Sequence, residues 1–286
     1  MIKKFISYYK PHRKLFILDM SCAVTASVLA ILIPMLTRLL IRTYLPLGDS
    51  RKIIITLFVM LNIYIIKTVL TFIRVKWGHI LGVRMEADMR RDLFAHIQKL
   101  SFSYFDRVKT GHLMSRISND LSVIAEVAHH APEDLIISIV VLILAYAGMF
   151  LFNYSLAFIC LIPLPFMFVW GIVMGSKMRS GFRTVRKEVA EINSTVENSV
   201  QGIREVKSFA NEKLENRKFH KTNTSFRVAK EIVYDRMAKF HSVMGFFREL
   251  YYFSTISGGA FLIYRGRLEL VDLLAFILYI GINSFF

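Results

Sequence analysis

The 286-residue sequence is 55% hydrophobic and carries a formal charge of +16 at pH 7. Soluble domains have about 45–50% apolar residues, and here the apolar residues are also gathered in long runs, which excludes an ordinary soluble domain. A basic charge can indicate nucleic-acid binding, but beside such runs it is typical of Lys and Arg that flank membrane spans. Cys22 and Cys160 both lie within apolar runs and predict no disulfide framework.

The N-terminal segment, residues 1–14, has the pattern of a short helix in the membrane interface. Ile2, Phe5, Ile6 and Tyr9 recur at helical spacing, and lysines occupy other faces. Pro11 is expected to end this helix. A cleavable signal peptide is not indicated, because the apolar run that follows is too long.

The apolar runs predict five membrane spans and the beginning of a sixth, within an all-α membrane protein. The predicted spans are residues 15–41, 53–77, 134–152, 156–175, 242–264 and 270–286. Pro34 predicts a kink in the first, and Pro163 and Pro165 predict one in the fourth. From Asp272 to the last residue the sequence supplies about 22 Å of helix, less than the roughly 30 Å hydrocarbon core. We therefore expect the sixth span to be incomplete and the sequence to be truncated there.

Two long polar excursions separate the spans. In the first, Met85–Asp120, an amphipathic helix leads to an aromatic corner at 102–109, Thr110-Gly111 predicts a turn, and a second helix starts at Leu113. The second, Ser176–His241, has its corner at Gly202–Lys221. Each excursion is predicted to be a helical hairpin that projects from the membrane.

The distribution of basic residues predicts the orientation. Most of the 37 Lys and Arg lie in the N-terminal segment and the two excursions. The short loops between spans hold only Arg42, Arg51, Lys52, Arg265 and Arg267. By the positive-inside rule, the N-terminus and both hairpins are cytoplasmic.

Several stretches, in this order and at these spacings, resemble the transmembrane domain of ABC exporters of the bacterial multidrug and lipid half-transporter type. The first excursion contains Arg90-Arg91-Asp92-Leu93-Phe94, Tyr104-Phe105-Asp106 and Ser115–Asp120. The second contains Gly202–Ala210, with Glu212 and Phe219. Tyr264–Leu268, Ala275-Phe276 and Tyr279 are similar to the approach to the sixth helix.

The resemblance implies a six-helix bundle with long cytosolic extensions that works as an alternating-access pump in the plasma membrane. The corners would be coupling helices that dock on ATP-binding domains, and a second transmembrane domain, identical or different, would complete the path. By position in the family, the residues that contact the ATPase are Tyr104, Phe105, Asp106, Arg107, Phe209, Glu212 and Phe219. Membrane lipids are further expected partners, and nucleic acid is not expected.

The sequence departs from the family pattern in having no G-x-x-x-x-G-K-[ST] phosphate loop. The family usually carries its ATPase after the sixth helix, so the ATP-binding domain is expected to be absent from this chain. ATP and magnesium would belong to that domain, and we expect no cofactor here. By itself the chain should not hydrolyse ATP.

Charged residues within the predicted spans, Asp19, Arg38, Lys67, Arg248 and Glu249, are possible substrate contacts. The candidates for the substrate path are Arg38, Lys67, Arg248 and Glu249. Intramembrane charge is costly and usually faces a cavity or a partner, so inter-helix ion pairs and snorkelling side chains are the alternatives. One further motif, Glu126-x-x-His129, has the spacing of di-iron bundles, but these need two such motifs. No metal site is therefore expected.

A motor-free channel or scaffold is the alternative function. It has no need of two long cytosolic hairpins with aromatic corners, and these favour the exporter. Lipid, drug and peptide exporters share the pattern, so the sequence names no cargo.

Overall fold

The computed structural model describes residues 2–106, 108 and 110–283, and these residues form helices without a β-strand. In chain order the α-helices are α1 (Ile2–Ser7), α2 (Arg13–Leu39), α3 (Ser50–Ile97), α4 (Phe102–Phe105), α5 (Thr110–Ser115), α6 (Leu121–Phe152), α7 (Tyr154–Leu161), α8 (Pro163–Gln201), α9 (Ile203–Ser208), α10 (Glu212–Tyr264) and α11 (Leu270–Asn283). Short π-helical turns, Leu40–Tyr44 and Arg116–Asp120, follow α2 and α5. The all-α prediction is confirmed.

Four helical segments in the described part of the chain are long and apolar enough to cross a membrane. They are Arg13–Tyr44, Ser50–Ile97, Leu113–Phe152 and Tyr154–Gln201, and they contain the first four predicted spans. The fifth predicted span, 242–264, lies within α10, where Ser, Thr, Tyr and Gly residues lower the hydropathy. Its crossing of the membrane stays a prediction, as does that of α11, which is a shorter apolar helix.

Several helices are much longer than a bilayer is thick. At 1.5 Å per residue, the 48 residues of α3 extend about 72 Å and the 53 residues of α10 about 80 Å. The hydrocarbon core accounts for only about 30 Å of such a helix. Large parts of both helices must therefore lie outside the membrane, as the predicted hairpins require.

The chain divides into two compact units, of which the first comprises Met1–Ala157 and Gly259–Phe286. In this unit α2, α3 and α6 pack against one another, and α11 packs against α2 and α6. Small side chains permit the close approach: Ala125 and Ala128 of α6 are buried against Leu81 and Met85 of α3. These residues form a buried apolar core at the level where the first hairpin begins.

The N-terminal helix is held against this core by specific contacts. Helix α1 ends at Ser7, before Pro11, and hydrogen-bonded turns continue the chain to α2. Tyr9 packs on the core, and its hydroxyl donates to the carbonyl oxygen of Ala128 at 2.5 Å. His12 Nε2 lies 2.8 Å from Asp88 Oδ2. The segment is thus fixed to α3 and α6, and its place in the membrane interface stays a prediction.

The second unit, Phe158–Gly258, is a long antiparallel hairpin of α8 and α10. As residue numbers rise along α8, the numbers of their partners fall along α10. The contacts are Phe166 with Phe247, the Lys177 carbonyl with Arg236, Gly181 with Val233, and Ser199 with Glu215. The two helices of the hairpin therefore run antiparallel in one register from the predicted span to the tip.

The prolines of the fourth predicted span separate two helices. Helix α7 ends at Leu161 and α8 begins at Pro163, where a kink in one continuous helix had been expected. Proline has no N–H to donate to the preceding turn, and at the first position of a helix this costs nothing. Pro34, by contrast, lies inside α2.

Candidate coupling ends and substrate path

The end of the first hairpin is the four-residue helix α4. Phe102 is 91% exposed and Phe105 is 42% exposed. Tyr104 is half-buried and meets Phe105 edge to face, with 5.6 Å between ring centroids. An aromatic group this exposed, far from the core of its own unit, has the character of a surface that another protein covers.

The predicted contact residues of this end are only partly described. Tyr104, Phe105 and Asp106 lie together in α4 and the turn after it, and Asp106 is exposed. Arg107 lies outside the described residues. Phe102 begins the predicted aromatic corner and is the most exposed of its described aromatic residues, although it was not among the residues named individually as ATPase contacts. The turn predicted at Thr110-Gly111 is wrong, because α5 begins at Thr110; a glycine in the first turn of a helix disturbs few helical hydrogen bonds.

The end of the second hairpin is closed by α9 and a tight turn. The N–H of Phe209 donates to Glu205 O at 3.0 Å, and that of Asn211 to Val206 O at 2.9 Å. Ala210 has a φ of 47°, in the left-handed region that normally favours glycine. These bonds hold the turn in one shape and leave Phe209 75% exposed at its apex.

Ion pairs and a hydrogen bond within the chain stabilise the end of the second hairpin. Lys207 Nζ lies 3.0 Å from Glu212 Oε1, and this hydrogen bond holds the pKa of Glu212 below its ordinary value. Glu215 pairs with Lys218 at 2.6 Å and also accepts a hydrogen bond from Ser199 of α8. The pKa of Glu215 is lowered by the Lys218 contact first and by Ser199 second. Glu212 therefore has a partner in its own chain.

Phe219 lies on the same end, two turns into α10, and is 40% exposed. With Phe209 it gives the second hairpin two accessible aromatic rings near its tip. The coupling roles of these residues, and of those at the first end, stay predictions.

In the first unit, two predicted path residues line separate cavities of about 470 Å³, Lys67 the first and Arg38 the second. The first cavity is bounded by α2, α3, α6 and α11. Its polar groups include Lys67, Thr71 and Arg74, and its walls are otherwise mostly apolar. Arg74 Nε lies 2.9 Å from Glu133 Oε1, whereas Lys67 has no ion pair among the described residues. Lys67, which is exposed, is thus a cation of this cavity that has no ion-pair partner within the described part of the chain.

Arg38 is engaged by α11. Its Nε lies 2.5 Å from Asp272 Oδ1, and its guanidinium lies 4.4 Å from the centre of the Phe152 ring. Arg42 adds a 2.5 Å contact to Glu269 in the same place. The arrangement is the inter-helix ion pair that the sequence had left as the alternative to substrate contact.

Arg248 and Glu249 are neighbours on α10 in the second unit. Both side chains are more than half exposed, and Arg248 Nε lies 4.0 Å from Glu249 Oε1. A pair this exposed contributes little stability. Their role as substrate contacts stays a prediction.

Long helices with exposed aromatic ends agree with the family comparison. The family profile described as the ABC transporter transmembrane region matches residues 16–285. The chain belongs to this family. It is therefore a membrane protein and a transport membrane domain, and the resemblance drawn from the sequence is confirmed.

Curated relatives of this ABC transporter domain are longer proteins. The uncharacterised ABC transporter ATP-binding protein YwjA of Bacillus subtilis (strain 168) is 37% identical over 97% of the chain and 48% of its own length. An ATP-dependent lipid A-core flippase of Syntrophus aciditrophicus is 28% identical over 78% of the chain and 37% of its length. The probable multidrug resistance protein YheH of B. subtilis is 27% identical over 69% and 30%. The chain thus spans less than half the length of these relatives.

Proposed function

We propose that this ABC transporter domain is the membrane part of an ATP-driven exporter, moved by ATP-binding domains that dock on the ends of its two hairpins. The observation that carries the proposal is the exposure of Phe102, Phe105 and Phe209 on short, internally hydrogen-bonded ends. Helices that exceed the membrane by tens of ångströms can transmit a displacement at these ends to the spans. A channel or scaffold without an ATPase does not need long cytosolic hairpins with exposed aromatic ends.

The proposed assembly contains a second transmembrane domain, two ATP-binding domains and the surrounding lipid. Its place is the plasma membrane, with the N-terminus and both hairpins in the cytoplasm, as the distribution of Lys and Arg favours. ATP and magnesium would bind to the ATP-binding domains. The names of the relatives, a flippase and a multidrug protein among them, support export as the direction.

The proposed orientation predicts which cysteines an impermeant thiol reagent reaches in intact cells. Tyr154, at the turn between α6 and α7, is 69% exposed, and Y154C should be labelled from outside. Ser208, at the second hairpin end, is also exposed, and S208C should be labelled only after permeabilisation. Cys22 and Cys160 are buried and should give little background. The reverse labelling pattern would overturn the orientation.

The docking proposal assigns ATP hydrolysis to the ATP-binding domains and docking to residues 1–286. The chain in nanodiscs should show no ATP hydrolysis above a mock preparation, because its sequence has no phosphate loop.

The chain should bind the remainder of YwjA, the part outside the matched region, produced as a separate protein. Binding is measured by surface plasmon resonance, with empty nanodiscs as control. Hydrolysis by the chain alone, or absence of binding, would count against the proposal.

A further inference from the structure

Four potential metal ligands from two helices converge beside the first hairpin. His79 lies on α3, and Glu126, His129 and His130 lie on α6; one ligand atom of each falls within 4.8 Å of all the others. The imidazole rings are close, with centroid distances of 4.7 Å for His79–His129 and 4.0 Å for His129–His130. The cluster lies just outside the predicted spans 53–77 and 134–152. Neither the hairpin ends nor the cavity uses these side chains.

Hydrogen bonds to the backbone orient two of the imidazoles for metal binding. His79 Nδ1 lies 2.8 Å from the carbonyl oxygen of Val75, and His129 Nδ1 lies 3.3 Å from that of Ala125. A carbonyl can only accept, so the proton of each neutral ring belongs on Nδ1. The Nε2 lone pair is then free to bind a metal, and ligating histidines commonly have this arrangement.

The buried member of the cluster has an unused nitrogen. His129 is 3% exposed, and its Nε2 has no hydrogen-bond partner among the described residues. A buried polar atom without a partner is costly and requires an explanation. The fold also makes room for this ring, because a Cβ at Gly82 would lie only 2.9 Å from His129 Nδ1.

Two carboxylates, those of Glu126 and Asp19, lie in or near the cluster. Glu126 Oε1 already lies 3.3 Å from His130 Nε2. Asp19 of α2 is fully buried, and neither of its carboxylate oxygens has a hydrogen-bond partner in the described structure. It lies against Gly78, the neighbour of His79, where an added Cβ would be 3.2 Å from Asp19 Oδ1. A bound cation would compensate both carboxylates.

We propose that His79, Glu126, His129 and His130 form a binding site for a divalent first-row transition metal of the zinc class. Three imidazoles and one carboxylate are ligands that Zn²⁺ accepts, whereas Ca²⁺ and Mg²⁺ take oxygen ligands. In a tetrahedral zinc site the ligand atoms lie roughly 3.4 Å apart, since metal–nitrogen bonds are about 2.0–2.1 Å. The exposed side chain of Glu126 can close remaining distance by rotation.

The metal would cross-link α3 to α6 at the base of the first hairpin. The proposal replaces the expectation of no metal drawn from the single E-x-x-H motif, and it is independent of the proposed transport function. His79 is the proposed ligand on α3, and it precedes Glu126 by 47 positions. No local sequence motif therefore contains it together with the ligands of α6.

The test is a zinc titration of the purified, metal-stripped chain in detergent, with a histidine-free affinity tag. In competition with a chromophoric chelator, one Zn²⁺ should bind per chain, and Zn²⁺ should raise the melting temperature. Co²⁺ in its place should give the intense visible absorption of a tetrahedral site. The variants H79Q and E126Q change exposed side chains and should lower the Zn²⁺ affinity at least tenfold, because the loss of even an outer-shell partner of a ligand costs about ten- to a hundredfold.

The matched control is H96Q, which changes another exposed histidine of α3 outside the cluster; its affinity should equal that of the parent. Equal affinity in H79Q and H96Q, or a parent that binds no Zn²⁺, would overturn the proposal. If H79Q and E126Q do not remain monodisperse in size-exclusion chromatography, the parent spectrum decides: Co²⁺ without tetrahedral bands overturns the site.

Discussion

Truncating Phe105 or Phe209 to alanine is expected to weaken docking of the ATP-binding domain about thirtyfold. Both rings are exposed at hairpin ends, Phe209 to 75% and Phe105 to 42%. If they insert into a cleft of the ATPase, each truncation removes a buried aromatic contact, which costs about 2 kcal/mol at an interface. At 1.4 kcal/mol per factor of ten, this is roughly a thirtyfold loss of affinity.

The same substitutions should uncouple transport without harming insertion. The predicted spans are untouched, so a chimera of this chain with the remainder of YwjA should reach the membrane at parental levels in the double variant F105A/F209A. Its ATP hydrolysis can persist, whereas stimulation of hydrolysis by substrate and net transport should fall.

Phe182 provides a control on the shaft of the second hairpin. It is exposed to 43%, much like Phe105, but lies in α8 well before the tip. F182A should leave docking and transport unchanged. Unaltered affinity and transport in F105A/F209A at matched expression would show that these ends do not transmit the movement, and would favour the motor-free alternative.

Replacing Arg38 by leucine is expected to destabilise the chain by about 3 kcal/mol. The side chains of the ion pair are mostly buried, Asp272 to all but 8% and Arg38 to all but 22%. Breaking a buried pair leaves an uncompensated charge and costs about 3–5 kcal/mol. Arg42 Nη1 lies 3.8 Å from Asp272 Oδ1, so partial compensation places the expected value at the low end.

The double variant R38L/D272L separates a structural role from substrate contact. Removing both charges should recover most of the stability that R38L loses, because no buried charge then remains unpaired. The melting temperatures of R38L and R38L/D272L are measured in detergent, from the protein that remains monodisperse in size-exclusion chromatography after heating. R248L, which removes an exposed cation of α10, should change little. An unchanged melting temperature in R38L would make substrate binding the better account of Arg38.

Local patterns in the sequence predicted the helical class and the first four spans of this chain. Runs of apolar residues place the first four spans inside the observed helices, because the cost of burying polar groups in lipid acts on each segment separately. Asn153 and Gly266 mark turns that the structure contains: Asn153 Oδ1 accepts from the N–H of Leu156, and Gly266 has a φ of 66°. Helix boundaries were less certain where several residues can begin a helix, as at Thr110.

Which residues of two helices contact each other depends on how the helices cross. The spacing of apolar residues along one helix does not predict that crossing. The contact of Arg38 with Asp272 joins positions 234 residues apart, and from the sequence each was only a charge in or near a span. In the sequence, nothing distinguishes His79 from other residues of α3. In the structure it lies beside Glu126, His129 and His130 of α6. Hydropathy and helical spacing act along one segment, whereas an ion pair or a ligand cluster requires side chains from two helices to meet at one height, and only the packed bundle sets that height.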